Sequence, residues 1–323
     1  MSSVVNSGIR VVKCSVQVCL VFLSADINDS RSPRRLTSHS LQSNQPPGML
    51  IATIDQSRDS SLIISLRASL DNSSDSISIT QYHSDFESIT GQTPRHALLL
   101  SSSESSRNPF FHQACVYVSE QDELYITSDL LQSTSSSRLP VILISKVQLR
   151  RNDIGTVESV EWQKLRPPSS MQMPAGGAGY KQGILFCSQG NLNAGTGGLY
   201  YMPIGRPPEP VVTHFFGRDF NSPQDVVVAN DGAIWFIDSF YGFEHEIRSR
   251  PAMPCQILRY EPDTGQLRVM AEDVERPRGL ALSPDETTLY ITDSSVVHNI
   301  GDKGPTRYRL SLSLSLFKIQ SYY

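Results

Sequence analysis

Between residues 108 and 293 the apolar positions come in short runs, and the runs repeat. Leu124-Tyr125-Ile126-Thr127 returns unchanged as Leu289-Tyr290-Ile291-Thr292. Between the two copies lie Ile184-Leu185-Phe186-Cys187-Ser188 and Ile234-Trp235-Phe236-Ile237-Asp238. The four runs begin at 124, 184, 234 and 289, spacings of 60, 50 and 55 residues. An Asp-rich turn precedes three of them: Gln121-Asp122-Glu123, Asp231-Gly232 and Ser283-Pro284-Asp285-Glu286. Each of these turns follows another apolar stretch, at 114–118, 226–228 and 280–282, so each predicts a hairpin. Further strands are predicted over 141–149, 198–202 and 256–260, the last joined through Pro262-Asp263-Thr264-Gly265 to a strand over 266–270.

Short strands with Gly, Pro and Asp turns, repeating every 50 to 60 residues, fit the four-stranded blades of a β-propeller. A β-sandwich is the competing all-β architecture, but it does not explain one hairpin template returning at near-constant spacing. About three and a half to four blades are visible. Radial stacking supplies the physical logic, because each small sheet buries its faces against its neighbours.

The flanks read differently. Residues 1–85 are rich in Ser, Asp and Asn and carry no sustained period, so a largely disordered, Ser-rich region is expected there. Residues 86–295 form the blade region, including a strand over 95–101, and residues 296–323 form a divergent tail. The tail contains Leu310-Ser311-Leu312-Ser313-Leu314-Ser315-Leu316, whose alternation suits a strand.

Composition narrows the function. A formal charge of −4 supplies no basic excess for neutralising phosphates, so a nucleic-acid partner is not expected. The longest apolar run, Val16 to Leu23, is far short of the roughly 20 residues that a membrane-crossing helix needs. As a signal sequence it is interrupted by Gln17 and Cys19, so a cytoplasmic location is favoured over secretion. The five cysteines show no zinc-ligand spacing, and three lie in apolar runs as inert thiols.

Several segments carry a specific resemblance. They are Pro109-Phe110-Phe111-His112-Gln113-Ala114-Cys115-Val116-Tyr117, Met173-Pro174-Ala175-Gly176-Gly177, Gly183 through Gly190, and Thr196 through Tyr200. Asn221-Ser222-Pro223-Gln224-Asp225 through Trp235 and Arg276-Pro277-Arg278-Gly279-Leu280 through Asp293 are the most specific. In these segments the chain resembles fungal proteins of the gluconolactonase and lactonohydrolase family. The resemblance implies a six-bladed propeller, one divalent cation (usually calcium) in the central channel, and hydrolysis of a small-molecule lactone from sugar or secondary metabolism. A ring of six is expected to be incomplete here. The pattern stops after Asp293, and about 30 tail residues cannot supply two blades of 50 to 60, so poor solubility and weak activity are expected.

Counting back from the shared hairpins places Gln113, Gln224 and Arg278 at equivalent inner-strand positions. By the resemblance they stand where the family has a channel glutamate and two asparagines that ligate the metal. Gln113 and Gln224 remain candidate metal ligands through their amide oxygens. Arg278 at about 5 Å from a divalent cation would cost roughly 7 kcal/mol at an effective dielectric near 20, which puts metal binding in question. His112 and Asp225, beside the channel positions, are the candidate catalytic residues. Their alternatives are blade packing for His112 and a turn cap for Asp225. Asp238 and Asp293 read as turn acids at strand ends. Glu244-His245-Glu246 reads as a solvated loop, because adjacent strand residues cannot all face one ion.

Overall fold

The computed structural model describes residues 110–131, 140–155 and 157–293, together with strand segments at 9–11, 18–23, 50–51, 61–65, 67–68, 95–101 and 313–318. The described residues are all-β apart from one short helix, Tyr241–Glu244. Four sheets follow one another along the sequence, each an antiparallel meander from an inner strand outward. The first consists of Gln113–Val118, Glu123–Thr127, Ile144–Arg151 and Val157–Leu165, with Ser61–Ser65 added at its outer edge. The second consists of Pro174–Tyr180, Gly183–Ser188, Gly198–Pro203 and Glu209–Val212. The third consists of Pro223–Val228, Ile234–Asp238, Gln256–Glu261 and Gln266–Ala271. The fourth consists of Pro277–Leu282, Thr288–Asp293 and Ser313–Lys318.

The four inner strands lie side by side in order. Pro174–Tyr180 contacts both Gln113–Val118 and Pro223–Val228, and Pro223–Val228 contacts Pro277–Leu282. Sheets hinged on adjacent inner strands and fanned outward have the arrangement of propeller blades. Among the described residues they form an open arc.

Packing explains why the repeated runs are continuously apolar instead of alternating. A strand between two neighbouring sheets buries both of its faces. Ile184 and Phe186 point back to the first sheet, against Val116, Tyr125 and Ile144. Leu185 and Cys187 point forward to Val226, Ile234 and Phe236 of the third. Trp235 and Ile237, from the same strand as Ile234, point forward to Leu280, Leu289 and Ile291 of the fourth. Leu124, Ile184, Ile234 and Leu289 therefore all face the preceding side of their sheets. Aromatic edges fill the wider gaps, with Phe220 and Phe236 meeting edge to face at 5.4 Å.

Two strands carry weak local signals. Pro174–Tyr180 reads PAGGAGY, without the β-branched or aromatic residues that mark a strand. It is a strand because its backbone must pass close to its neighbours. A Cβ on Gly176 would lie 2.4 Å from Asp225 Oδ1 and 2.6 Å from the Gln224 carbonyl oxygen. Val157–Leu165 is an outer strand that buries only Val157, Val160 and Trp162.

Short segments of the N-terminal region are paired as strands. Ser61–Ser65 pairs antiparallel with Val157–Leu165, with Ile63 opposite Glu161. Val18–Leu23 pairs with Arg95–Ser101, whose Leu99 and Leu100 are buried with Phe110, Phe111 and Trp162 on the outer side of the first sheet. A strand edge offering unpaired N–H and C=O groups recruits chain that has no strong period of its own. The rest of residues 1–85 lies outside the described residues. In the tail, Ser313–Lys318 pairs with Thr288–Asp293 as the third strand of the fourth sheet.

Candidate functional site

All four inner strands begin with a break in register. The ladder shifts between Gln113 and Val116, Pro174 and Gly177, Pro223 and Val226, and Pro277 and Gly279. Such bulges re-aim side chains, and here they lie at one end of the arc. The second strands finish at the same end, and Thr127, Ser188, Asp238 and Asp293 occupy their last positions. A small cleft, partly open to solvent, lies there. His112, Gln113, Ser128, Asp129, Gln189 and Gln224 line it, together with Tyr241, His245 and Arg278.

The structure brings Gln113, Gln224 and Arg278 into this one cleft. Gln224 Nε2 donates to Gln113 Oε1 at 3.1 Å, and Gln224 Oε1, buried, has no hydrogen-bond partner. Arg278 Nε donates to the Tyr241 hydroxyl at 2.8 Å, and the guanidinium carbon sits 4.6 Å from the Tyr241 ring centroid. His112 faces the cleft. Burial holds its imidazole below the ordinary histidine value, with the positive charges of Arg278 and His245 acting in the same direction and Asp129 opposing them. A neutral imidazole beside a carboxylate is able to accept a proton.

Asp225, the other catalytic candidate, sits between inner strands. Its Oδ2 accepts the backbone N–H of Leu280 at 3.0 Å, and its Oδ1 fills the space that Gly176 leaves open. The carboxylate thus ties the second, third and fourth inner strands together, and it is not among the residues lining the cleft. Asp238 and Asp293 cap the chain entering their own inner strands. Asp238 accepts the Asn221 and Ser222 N–H groups at 2.9 and 2.7 Å, and Asp293 accepts those of Glu275 and Arg276 at 2.9 and 3.2 Å. Burial pushes Asp238 up to about 7, against the two backbone donors and the nearby Arg248.

His245 is exposed, as the solvated-loop expectation has it, and it also borders the cleft. It follows the helix Tyr241–Glu244 rather than lying on a strand. Its acidic neighbours do not converge with it, since Glu244 pairs with Arg276 at 2.5 Å. Asp129, Tyr241 and Gln189 were not legible as site residues from the sequence. Asp129 and Gln189 follow the ends of second strands at the cleft mouth, the one signal that could have found them. Cys187 and Cys255 are buried, and burial pushes the Cys255 thiol up to about 12, as an inert cysteine requires.

The residues present do not fit a divalent cation. Calcium takes about six to eight oxygen ligands, with carboxylates prominent among them. Here Asp129 is the one carboxylate among the lining residues, and its Oδ1 already accepts the Leu130 N–H at 2.7 Å. Gln113 Oε1 is engaged by Gln224, and a guanidinium shares the space. Among the described residues no three His, Cys, Asp or Glu side chains group closely enough to hold an ion. No helix among them is long and apolar enough to cross a membrane.

The described residues thus form fanned antiparallel sheets with a polar cleft at the end where the inner strands bulge. Residues 140–298 match the family model of the SMP-30/Gluconolactonase/LRE-like region. The chain is 29% identical over 216 residues to lactonohydrolase oryL of Aspergillus oryzae, an alignment covering 64% of this chain and 45% of that protein. It is 38% identical over 94 residues to the gluconolactonase of Zymomonas mobilis, covering 28% of this chain and 26% of that one. The chain thus spans less than half the length of these curated relatives. A solved gluconolactonase from Xanthomonas campestris aligns with a TM-score of 0.45 at 22% identity, over 65% of this chain and 58% of the other.

Proposed function

We propose that the cleft binds a lactone, from sugar or secondary metabolism, and opens it by attack of water, within a propeller of the six-bladed kind. The family-model match and the names of the relatives support lactone hydrolysis as the class of chemistry. The observation that carries the reading is that His112, Asp129 and Arg278 converge on one cleft. In this reading His112 takes a proton from water as the water oxygen attacks the lactone carbonyl carbon. Asp129 holds the resulting imidazolium, and Arg278 donates to the developing oxyanion. The ring C–O bond then breaks, and the ring oxygen recovers the proton from His112. No step passes through a metal, since the donor set does not suit one.

A second reading, a propeller that binds a ligand without turning it over, is favoured by Gln113 standing where the family has a charged glutamate. One experiment separates the two. Hydrolysis of glucono-1,5-lactone and a panel of aromatic lactones is followed by pH-stat, with and without chelator. Chelator-insensitive turnover that His112→Ala lowers by about 10²–10⁴ supports the hydrolase. No turnover above the spontaneous rate leaves the binding reading, and turnover abolished by chelator overturns the proton path through His112 alone.

A further inference from the structure

One buried polar atom of the cleft lining lacks a partner. Gln224 is only 4% exposed, its Nε2 is committed to Gln113, and its Oε1 accepts nothing. A carbonyl oxygen taken out of water unpaired is costly, so it marks a place for a donor supplied by a ligand. A metal ion could fill that need, but Arg278 lines the same space. Its Nε bond to the Tyr241 hydroxyl and its stacking on the Tyr241 ring fix the guanidinium plane. That leaves its two terminal nitrogens as a planar fork, the geometry that matches a carboxylate. Among the described residues no acid forms a salt bridge with Arg278; the nearby Glu244 pairs with Arg276 instead. Asp129, the acid of the lining, has one oxygen tied to the Leu130 N–H and stands beside His112.

We infer that this cleft is a carboxylate site: it takes a hydroxy acid whose carboxylate is held by Arg278 and whose hydroxyl donates to Gln224 Oε1. The inference rests on the cleft being the lactone-binding one, and it assigns the place of a divalent cation to the guanidinium. The hydroxy acid is then the ring-opened product or a lactone that itself bears a carboxylate. Either way a neutral polyol satisfies only half of the site.

Calorimetric titration of the full chain with D-gluconate, D-glucose and calcium chloride tests it. Gluconate should bind at least about tenfold more tightly than glucose, and Arg278→Gln should weaken gluconate about ten- to hundredfold while sparing glucose. Tyr241→Phe, which keeps the ring and removes the hydroxyl that orients Arg278, should weaken gluconate by a smaller factor, a check that survives if the first variant misfolds. Equal binding of gluconate and glucose, a preference that persists in Arg278→Gln, or tight calcium binding by the unmodified chain overturns the inference. The two readings fail separately. Turnover of a neutral lactone with no carboxylate preference removes only this inference. Gluconate binding without any lactone turnover removes the hydrolase and leaves the carboxylate site standing.

Discussion

Replacing Asp225 separates two roles that one carboxylate could play. Asp225→Ala removes the acceptor of the Leu280 N–H, a buried bond of 3.0 Å between neighbouring inner strands. A hydrogen bond to a charged group contributes about 1.5–3 kcal/mol, and the orphaned N–H adds a desolvation cost of about 1–3 kcal/mol. Those two terms overlap, so a net loss of about 2–4 kcal/mol is expected. Asp225→Asn keeps an acceptor oxygen but loses the charge, and about 1 kcal/mol is expected for it. Denaturant unfolding followed by tryptophan fluorescence reads the result, since Trp235 packs against Leu280 and Leu289 in the interface that Asp225 ties. The midpoint should fall in the order Ala below Asn below the unmodified chain at similar slope. Lactone turnover by folded Asp225→Asn should stay within a few fold. An Asn variant of unchanged stability that has lost about a hundredfold or more in turnover would show that Asp225 is a base and the clamp argument wrong.

Other consequences follow from packing, burial and charge. Phe236→Ala empties a fully buried position between the second and third sheets and removes an edge contact with Phe220, so unfolding free energy should drop by about 3–5 kcal/mol; a loss under about 1 kcal/mol would contradict the interlocked sheets. Asp238 titrates near 7 when folded and near 3.8 when unfolded, so the folded chain binds its proton more tightly. That contribution is fully present below about pH 4 and is lost as pH rises through 7. It amounts to up to about 4 kcal/mol across the window, and Asp238→Asn should flatten the measured slope of stability against pH. Restoring charge and removing repulsion with Gln113→Glu, Gln224→Asn and Arg278→Asn should raise calcium affinity by about tenfold or more over the unmodified chain. Calorimetry that finds no gain would show that the cleft is not the metal position of the family.

How much of this was legible in the sequence follows from the range of each interaction. The hairpins at 124, 184, 234 and 289 could be read directly, because a strand buried on both faces must be apolar throughout and its turn must hold Asp or Gly. The candidate positions Gln113, Gln224 and Arg278 came from counting back along those hairpins. The count found the right mouth although bulges shift the register, leaving Gln113 opposite Thr127 while Pro223, not Gln224, is opposite Asp238. Pro174–Tyr180 showed no strand pattern, since its small residues answer to the closeness of neighbouring strands and not to a period.

By itself, then, the sequence determined the repeat, the sheet faces and the end of the arc where chemistry would collect, all set by local patterning. Only the tertiary structure decided what the charged groups do. Asp225 became a clamp because Leu280, 55 residues away, presents an N–H to it. Tyr241 and His245 reached the cleft because the segment after Asp238 folds back over the mouth instead of running on as a strand. Apolar burial repeats with the backbone period and so is written along the chain, whereas a hydrogen bond or ion pair is chosen by whatever the fold brings within about 3 Å of it.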